Sequence, residues 1–331
     1  MTRKKIMVIS PELKVSDVSY NTEQIIKAYT KASEEGMDLL VLPELCITSV
    51  SCGDLFLNAK LLECALDSLF LIASSTEGKK TMIIVSLPVH VSGKVYEAAT
   101  ILGDGEVLSL IPRTSFSDKQ CDKLRWFSKW DPSSDVVILD NGKEVYCCSD
   151  IDINNTTYGI CFDEDESHCG VYDKDIVVLY TSSTEYIGRN KKIRDTVTCT
   201  SKTYKNVIVS VTPDRTESTG KGVCSGYSVI SYKGKLYSES RLFDDKPIST
   251  DLKEMITNHN DDIDDCELAV LIQAHSLAQR LKKIWVSKVV LGISGGLDST
   301  QALLAGVKAM DILGYSRKNV KIGRASCRER V

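Results

Sequence analysis

The sequence predicts an α/β fold in two parts, and three observations carry that expectation. Short apolar strands alternate with an amphipathic helix from the N-terminus onward. A strand-rich region follows from 81 to 231. Near the end, 289–293 feeds a helix at 301–310 through Ser294-Gly295-Gly296, so a strand enters a helix by a glycine turn. A chain of 331 residues, 43% hydrophobic and 26% charged, has the balance of a soluble globular protein long enough for one large domain or two ordinary ones. Its net charge of −4 gives no electrostatic reason to expect a nucleic-acid partner. The apolar run after the basic start stops after four residues, and no later run is long enough for a bilayer, so no membrane partner is expected. Twelve cysteines without a framework point to reduced thiols in the cytoplasm, and His168-Cys169 lacks the second pair that a zinc site needs.

In chain order, 5–9 reads as a short buried strand. Residues 21–35 read as a helix with Asn21 as N-cap and Ile25, Ile26, Tyr29 and Ala32 on one face, ended by Gly36. The run 38–42 is the next strand, and it delivers Pro43-Glu44 to its C-terminal end, where open α/β layers place reactive groups. A carboxylate set after four apolar residues loses water, which raises its pKa toward that of a useful base. Further strands are expected at 81–87, 95–102, 106–111, 176–180, 207–211 and 227–231. The stretch 244–265, rich in Asp and Asn and carrying Pro247, reads as a solvated linker. A helix is expected at 267–285, its stripe of Leu268, Leu271, Ile272, Leu277, Ala278, Leu281 and Ile284 serving core packing.

The glycine turn leaves backbone N–H groups converging at a helix N-terminus, which attracts an oxyanion. No lysine follows the glycines, so this is not a Walker-A loop. Ser294-Gly295-Gly296-Leu297-Asp298-Ser299 is similar to the Ser-Gly-Gly-x-Asp-Ser loop of ATP pyrophosphatases. The resemblance implies ATP and Mg2+ as cofactors, with Ser294, Gly295, Gly296 and Ser299 on phosphate oxygens and Asp298 on the metal.

The stretch Leu42-Pro-Glu-Leu-Cys-Ile-Thr48 followed by Ser51-Cys-Gly-Asp-Leu-Phe56 resembles the amidase domain of glutamine-dependent NAD synthetases, which carry Pro-Glu-Leu-Cys-x-Thr-Gly-Tyr-x-Cys-x-Asp-Leu-Phe. Ser49-Val50 stands in place of Gly-Tyr. Matching segments recur at 85–88, 93–96, 99–102, 105–112, 181–189 and 225–240. The resemblance implies a nitrilase-type α-β-β-α sandwich over 1–243, the linker 244–265, and the first part of a doubly wound ATP-pyrophosphatase fold over 266–321. The residues 322–331 abandon all periodicity and resemble the translation of a sequencing-adapter oligonucleotide. They are expected to be a foreign tail on a truncated chain.

The same resemblance implies an ATP-dependent ligase in which glutamine or ammonia supplies nitrogen to deamido-NAD through an adenylate, acting as a homo-oligomer. Such amidases use a Glu base, a Lys for the oxyanion and a Cys nucleophile. Glu44 fills the first role. The lysine position is Arg113, larger and planar, and the positions of a substrate-holding tyrosine and a supporting glutamate are Lys119 and Cys121. The nucleophile falls on Cys161 in one register and on Asp163 in the other. Ser183 and Arg189 keep the spacing for glutamine contacts. The expectation is therefore a ligase with a degenerate glutaminase. A non-catalytic assembly domain and another amide-forming ATP pyrophosphatase stand as alternatives.

Overall fold

The computed structural model describes residues 4–131, 135–147, 151–162, 171–217, 222–255 and 263–324, the side chains of 118, 119 and 324 excepted. It separates into two units, one from 1–183, 190–217 and 224–261, the other from 184–189, 218–223 and 262–331.

The first unit opens with β1 (Ile6–Val8), α1 (Val18–Glu34) and β2 (Leu39–Val41), followed by α2 (Ala59–Ser74), β3 (Met82–Val91), β4 (Lys94–Gly103) and β5 (Glu106–Pro112). A small hairpin, β6 (Val136–Ile138) and β7 (Glu144–Tyr146), leads to β8 (Ile151–Asp152), β9 (Thr157–Cys161) and β10 (Ile176–Tyr180). Then come α3 (Arg189–Tyr204), β11 (Val207–Val211), β12 (Val229–Tyr232), β13 (Lys235–Glu239) and β14 (Ile248–Thr250). Two six-stranded sheets result, ordered β14-β1-β2-β3-β4-β5 and β13-β12-β11-β10-β9-β8.

Side-chain alternation assembles the layers. Ile6, Val8, Leu39, Val41, Ile84 and Ile101 from one sheet share a core with Ile160, Ile176, Val178, Val207 and Val209 from the other. The opposite face of the first sheet, with Met7, Leu40, Ile83 and Val85, packs under Ile25 and Tyr29 of α1 and Ala65, Leu69 and Ile72 of α2. On the far side, Ser201 of α3 meets Ser231 of β12 through hydroxyls 2.7 Å apart. The order is helix, sheet, sheet, helix. The buried runs at 176–180 and 207–211 form strands with the expected bounds, because residues buried on both faces give a nearly continuous apolar signal, broken only by the small Ser210.

Three expectations are corrected. Asp17, not Asn21, caps α1 by accepting from the Tyr20 N–H. Asn21 is buried inside the first turn and ties the backbone of Lys14 to the Ile47 carbonyl. The linker is not wholly solvated, since Ile248–Thr250 pairs antiparallel with β1; three residues are too short a strand to rise above an acidic background. Finally, 322–324 do not sit apart as a tail but run parallel to 291–293, where the apolar alternation of Val320 and Ile322 continues the strand. The rest of that tail, 325–331, lies outside the described residues.

The second unit contains α4 (Asp265–Lys283), β15 (Val289–Ile293), α5 (Leu297–Ile312) and β16 (Val320–Arg324). Asp264 caps α4 through its carboxylate. Its buried line is Leu268, Ala274, His275, Ala278, Gln279 and Leu281, so Ile284 falls off the packed face and is exposed. Among the described residues no helix is long and apolar enough to cross a membrane.

Candidate functional site

Glu44 sits on the turn that ends β2, where the backbone is pinned by Leu42 N–H to the Ile84 carbonyl at 3.1 Å and Ile47 N–H to the Ser86 carbonyl at 3.3 Å. The turn needs left-handed backbone at Leu45 (φ 52°) and Ser49 (φ 83°). Such a conformation is uncommon outside glycine. Ser49 is held there by donating its hydroxyl to the buried carboxylate of Glu217.

Arg113 follows the last residue of β5 and is fully buried with Glu44. Its Nη1 donates to Glu44 Oε1 at 3.3 Å and to Glu97 Oε2 at 3.0 Å. Nε donates to the Ser115 carbonyl at 2.7 Å, and Nη2 donates to Gln120 Oε1. The guanidinium lies 4.4 Å from the Phe116 ring centroid and 5.6 Å from that of Phe162. Lys123 completes the group, with Nζ 2.9 Å from Glu44 Oε1 and 2.8 Å from Glu97 Oε1. Two buried carboxylates thus face two cations, which is the pairing that buried charge requires.

Burial pushes the Glu44 carboxyl up from 4.5 to about 7, aided by the neighbouring Glu97 and opposed by Lys123 and Arg113. For Glu97 burial acts in the same direction, but Lys123 and Arg113 outweigh it and hold this carboxyl down at about 2. The two acids are therefore driven apart: Glu97 stays ionised as the counter-ion, and Glu44 carries a proton near neutrality. Glu44 Oε2 and Tyr180 Oη are buried without a hydrogen-bond partner among the described residues.

Cys161 is placed differently. Tyr158, Ile160 and Phe162 point into the core between the sheets, so alternation along β9 turns Cys161 to the other face. There it pairs with Leu179 in register, and its Sγ lies 3.8 Å from Tyr172 Oη. Gly159 shares that face, and a Cβ on it would stand 2.8 Å from the Val171 side chain and carbonyl. The residue that reaches toward Arg113 is Phe162. Asp163, the other candidate nucleophile, and the side chain of Lys119 lie outside the described residues. Ser183 is half-buried. Arg189 is buried in the second unit, its Nη1 3.6 Å from Glu185 Oε2.

Glu97, Gln120 and Lys123 are the members that sequence reasoning missed. Glu97 is the one charge in the otherwise apolar run 95–102, a pattern that signals a buried ion partner. Gln120 and Lys123 lie on a short 3-10 segment, Asp118–Arg125, interrupted at Gln120 by non-helical backbone, so no regular spacing marks them.

In the second unit, Gly295 (φ 89°) and Gly296 form the junction between β15 and α5, with Gly296 as N-cap. Ser299 Oγ donates to the Gly296 carbonyl at 3.0 Å and lies 3.2 Å from Ser294 Oγ. A Cβ at Gly295 would meet nothing within 4 Å, and Ser294, Gly296 and Asp298 are exposed. Open space over the first turn of a helix, whose N–H groups have no partner within the helix, fits an anionic ligand. Among the described residues, no group of three or more His, Cys, Asp or Glu is placed to hold a metal ion by itself.

The carbon-nitrogen hydrolase family profile matches residues 6–166. Curated relatives include the glutamine-dependent NAD(+) synthetases of Mycobacterium tuberculosis (strain H37Rv), 21% identical over 92% of this chain and 55% of its own length, and of Aquifex aeolicus, 24% identical over 93% and 58%. Among solved structures, the chain is similar to the glutamine-dependent NAD(+) synthetase from Cytophaga hutchinsonii, with a TM-score of 0.78 at 21% identity over 93% of this chain and 51% of that one. The enzyme from Acinetobacter baumannii, solved with adenosine diphosphate, gives 0.79 at 18% identity over 96% and 59%. The chain spans about half the length of the curated relatives it matches. With a carbon-nitrogen hydrolase match over 6–166 and a nitrilase-like fold, it is a homologue of glutamine-dependent NAD(+) synthetases.

Proposed function

We propose that this chain is the amidase-side part of an ATP-dependent ligase that forms NAD from deamido-NAD, with a glutaminase centre unfit for hydrolysis, so that free ammonia serves as nitrogen source. In this reading the β15–α5 junction holds the nucleotide. Ser294, Gly296 and Ser299 offer hydroxyl and backbone donors to phosphate oxygens, and Asp298 offers an oxygen to magnesium. ATP held there would supply an adenylyl group to a carboxylate, with pyrophosphate as the leaving group. Gly295 keeps the turn open, because its left-handed backbone disfavours any side chain.

The observation that carries the ammonia reading is the engagement of Arg113. Nε and both terminal nitrogens already donate within the protein, and Cys161 faces the opposite side of its sheet. Amide hydrolysis needs a nucleophile and an oxyanion donor aimed at one carbon, with the base within hydrogen-bond reach. Glu44 alone meets that requirement. The test uses the protein extended to the length of its relatives, supplied with ATP, magnesium and deamido-NAD. Ammonium is expected to support NAD formation at least about a hundredfold faster than glutamine at equal nitrogen, the scale of losing one oxyanion donor. Equal rates from the two nitrogen sources contradict the proposal.

A further inference from the structure

The residue that accepts from Nη2 of Arg113 is itself a carboxamide. Gln120 Oε1 accepts from Nη2 of Arg113, the same guanidinium whose Nη1 donates to Glu44. A glutamine side chain ends in the same primary amide that a glutaminase would have to bind, and this one lies on the cation at the oxyanion position. The backbone bends to put it there: within the 3-10 segment Asp118–Arg125, Gln120 alone leaves helical geometry, with φ −117° and ψ 15°. The segment is anchored on the C-terminal side of that bend. Lys123 grips Glu97 Oε1 and Oε2 at 2.8 and 3.2 Å, while Arg125 and Trp126 donate to the Asp54 carboxylate at 2.9 and 2.8 Å.

We propose that Gln120 is a built-in pseudosubstrate: its carboxamide occupies the amide position of the Glu44–Arg113 centre and excludes free amides. This rests on reading the first unit as amidase-derived. It deepens that reading by naming what the centre recognises, a primary carboxamide, and what keeps it closed. Gln120 lies seven positions after Arg113 in the chain, and so short a tether gives an effective concentration in the millimolar range or above. A free amide meets only the fraction of molecules in which Gln120 has swung away, and its apparent affinity falls by that fraction.

The experiment measures binding of propionamide by NMR titration to the wild-type chain and to Gln120→Ala, Gln120→Ser and Gln120→Glu, with thermal melts as a control for folding. The Ala and Ser variants are expected to bind propionamide at least about tenfold more tightly than wild type, as an occluded fraction of roughly nine-tenths demands. Gln120→Glu is expected to stay closed, because a carboxylate is held more firmly by the guanidinium. A purely structural Gln120 predicts lower melting temperatures without any gain in binding. Folded Ala and Ser variants that bind propionamide no better than wild type overturn the proposal, as does tight binding by the wild type. Glutamate release from glutamine by an opened variant sustains the pseudosubstrate and sinks the ammonia reading. Binding without release sustains both.

Discussion

Arg113→Met is expected to lower the stability of the first unit by about 3 kcal/mol, at the lower end of the range for breaking a buried ion pair. The guanidinium is counter-ion to Glu97 and partner to Glu44, Ser115 and Gln120 at once. Its removal leaves the ionised Glu97 with Lys123 alone. The loss stops short of the upper limit because that ammonium remains. Urea unfolding followed by circular dichroism measures it, and a loss below about 1 kcal/mol, the level of an exposed pair, contradicts the account. The double variant Glu97→Met/Arg113→Met removes both charges and fills the volume with apolar atoms. It is expected to recover much of the loss, giving a coupling of more than about 1 kcal/mol in the cycle.

Glu44→Gln is expected to flatten the pH dependence of stability between about 5 and 7. The carboxyl is raised from 4.5 to about 7 in the fold, so the folded state holds its proton more tightly than the unfolded chain. Its favourable contribution is complete below 4.5 and is withdrawn as pH climbs through 7. Glu97 has the opposite sign: held at about 2, it contributes above 4.5 and is lost as pH falls toward 2. Glutamine mimics the protonated form of Glu44 and cannot ionise. The variant is therefore expected to gain on wild type by as much as ~3 kcal/mol between pH 5 and pH 8, the full linkage of the shift. Unfolding curves at a series of pH values read the difference, and parallel profiles for the two proteins contradict it.

Much of this architecture was legible because burial leaves plain marks. The double-sided strands at 176–180 and 207–211 are almost wholly apolar and carry no charge, and the junction at 295–296 declares itself by two adjacent glycines between an apolar strand and a helix. Glu44 was legible because it follows the end of a strand, whereas Arg113 was found only through the resemblance, which places a lysine after Pro112. What failed was local competition. Asp17 and Asn21 are both good caps, and only the tertiary bond from Asn21 to Ile47 decides between them. Gln120 and Lys123 lie on an eight-residue 3-10 segment, too short for a periodic pattern. The face presented by Cys161 depends on strand register, and a one-residue slip exchanges it with Phe162. Ser49 shows the reverse: the departure from glycine was visible, but its left-handed backbone and the Glu217 bond that holds it were not.

In the proposed reading the Glu44 centre and Cys161 lie on different faces of the fold and do not form one hydrolytic constellation. The most direct measurement is to treat the protein with a glutamine analogue bearing a chloroketone and map the adducts by peptide mass spectrometry. The account predicts that Cys161, buried beside Tyr172, stays unlabelled while exposed thiols such as Cys121 react at the rate of a simple chloroketone. Stoichiometric labelling at Cys161 that disappears in Glu44→Gln would contradict it.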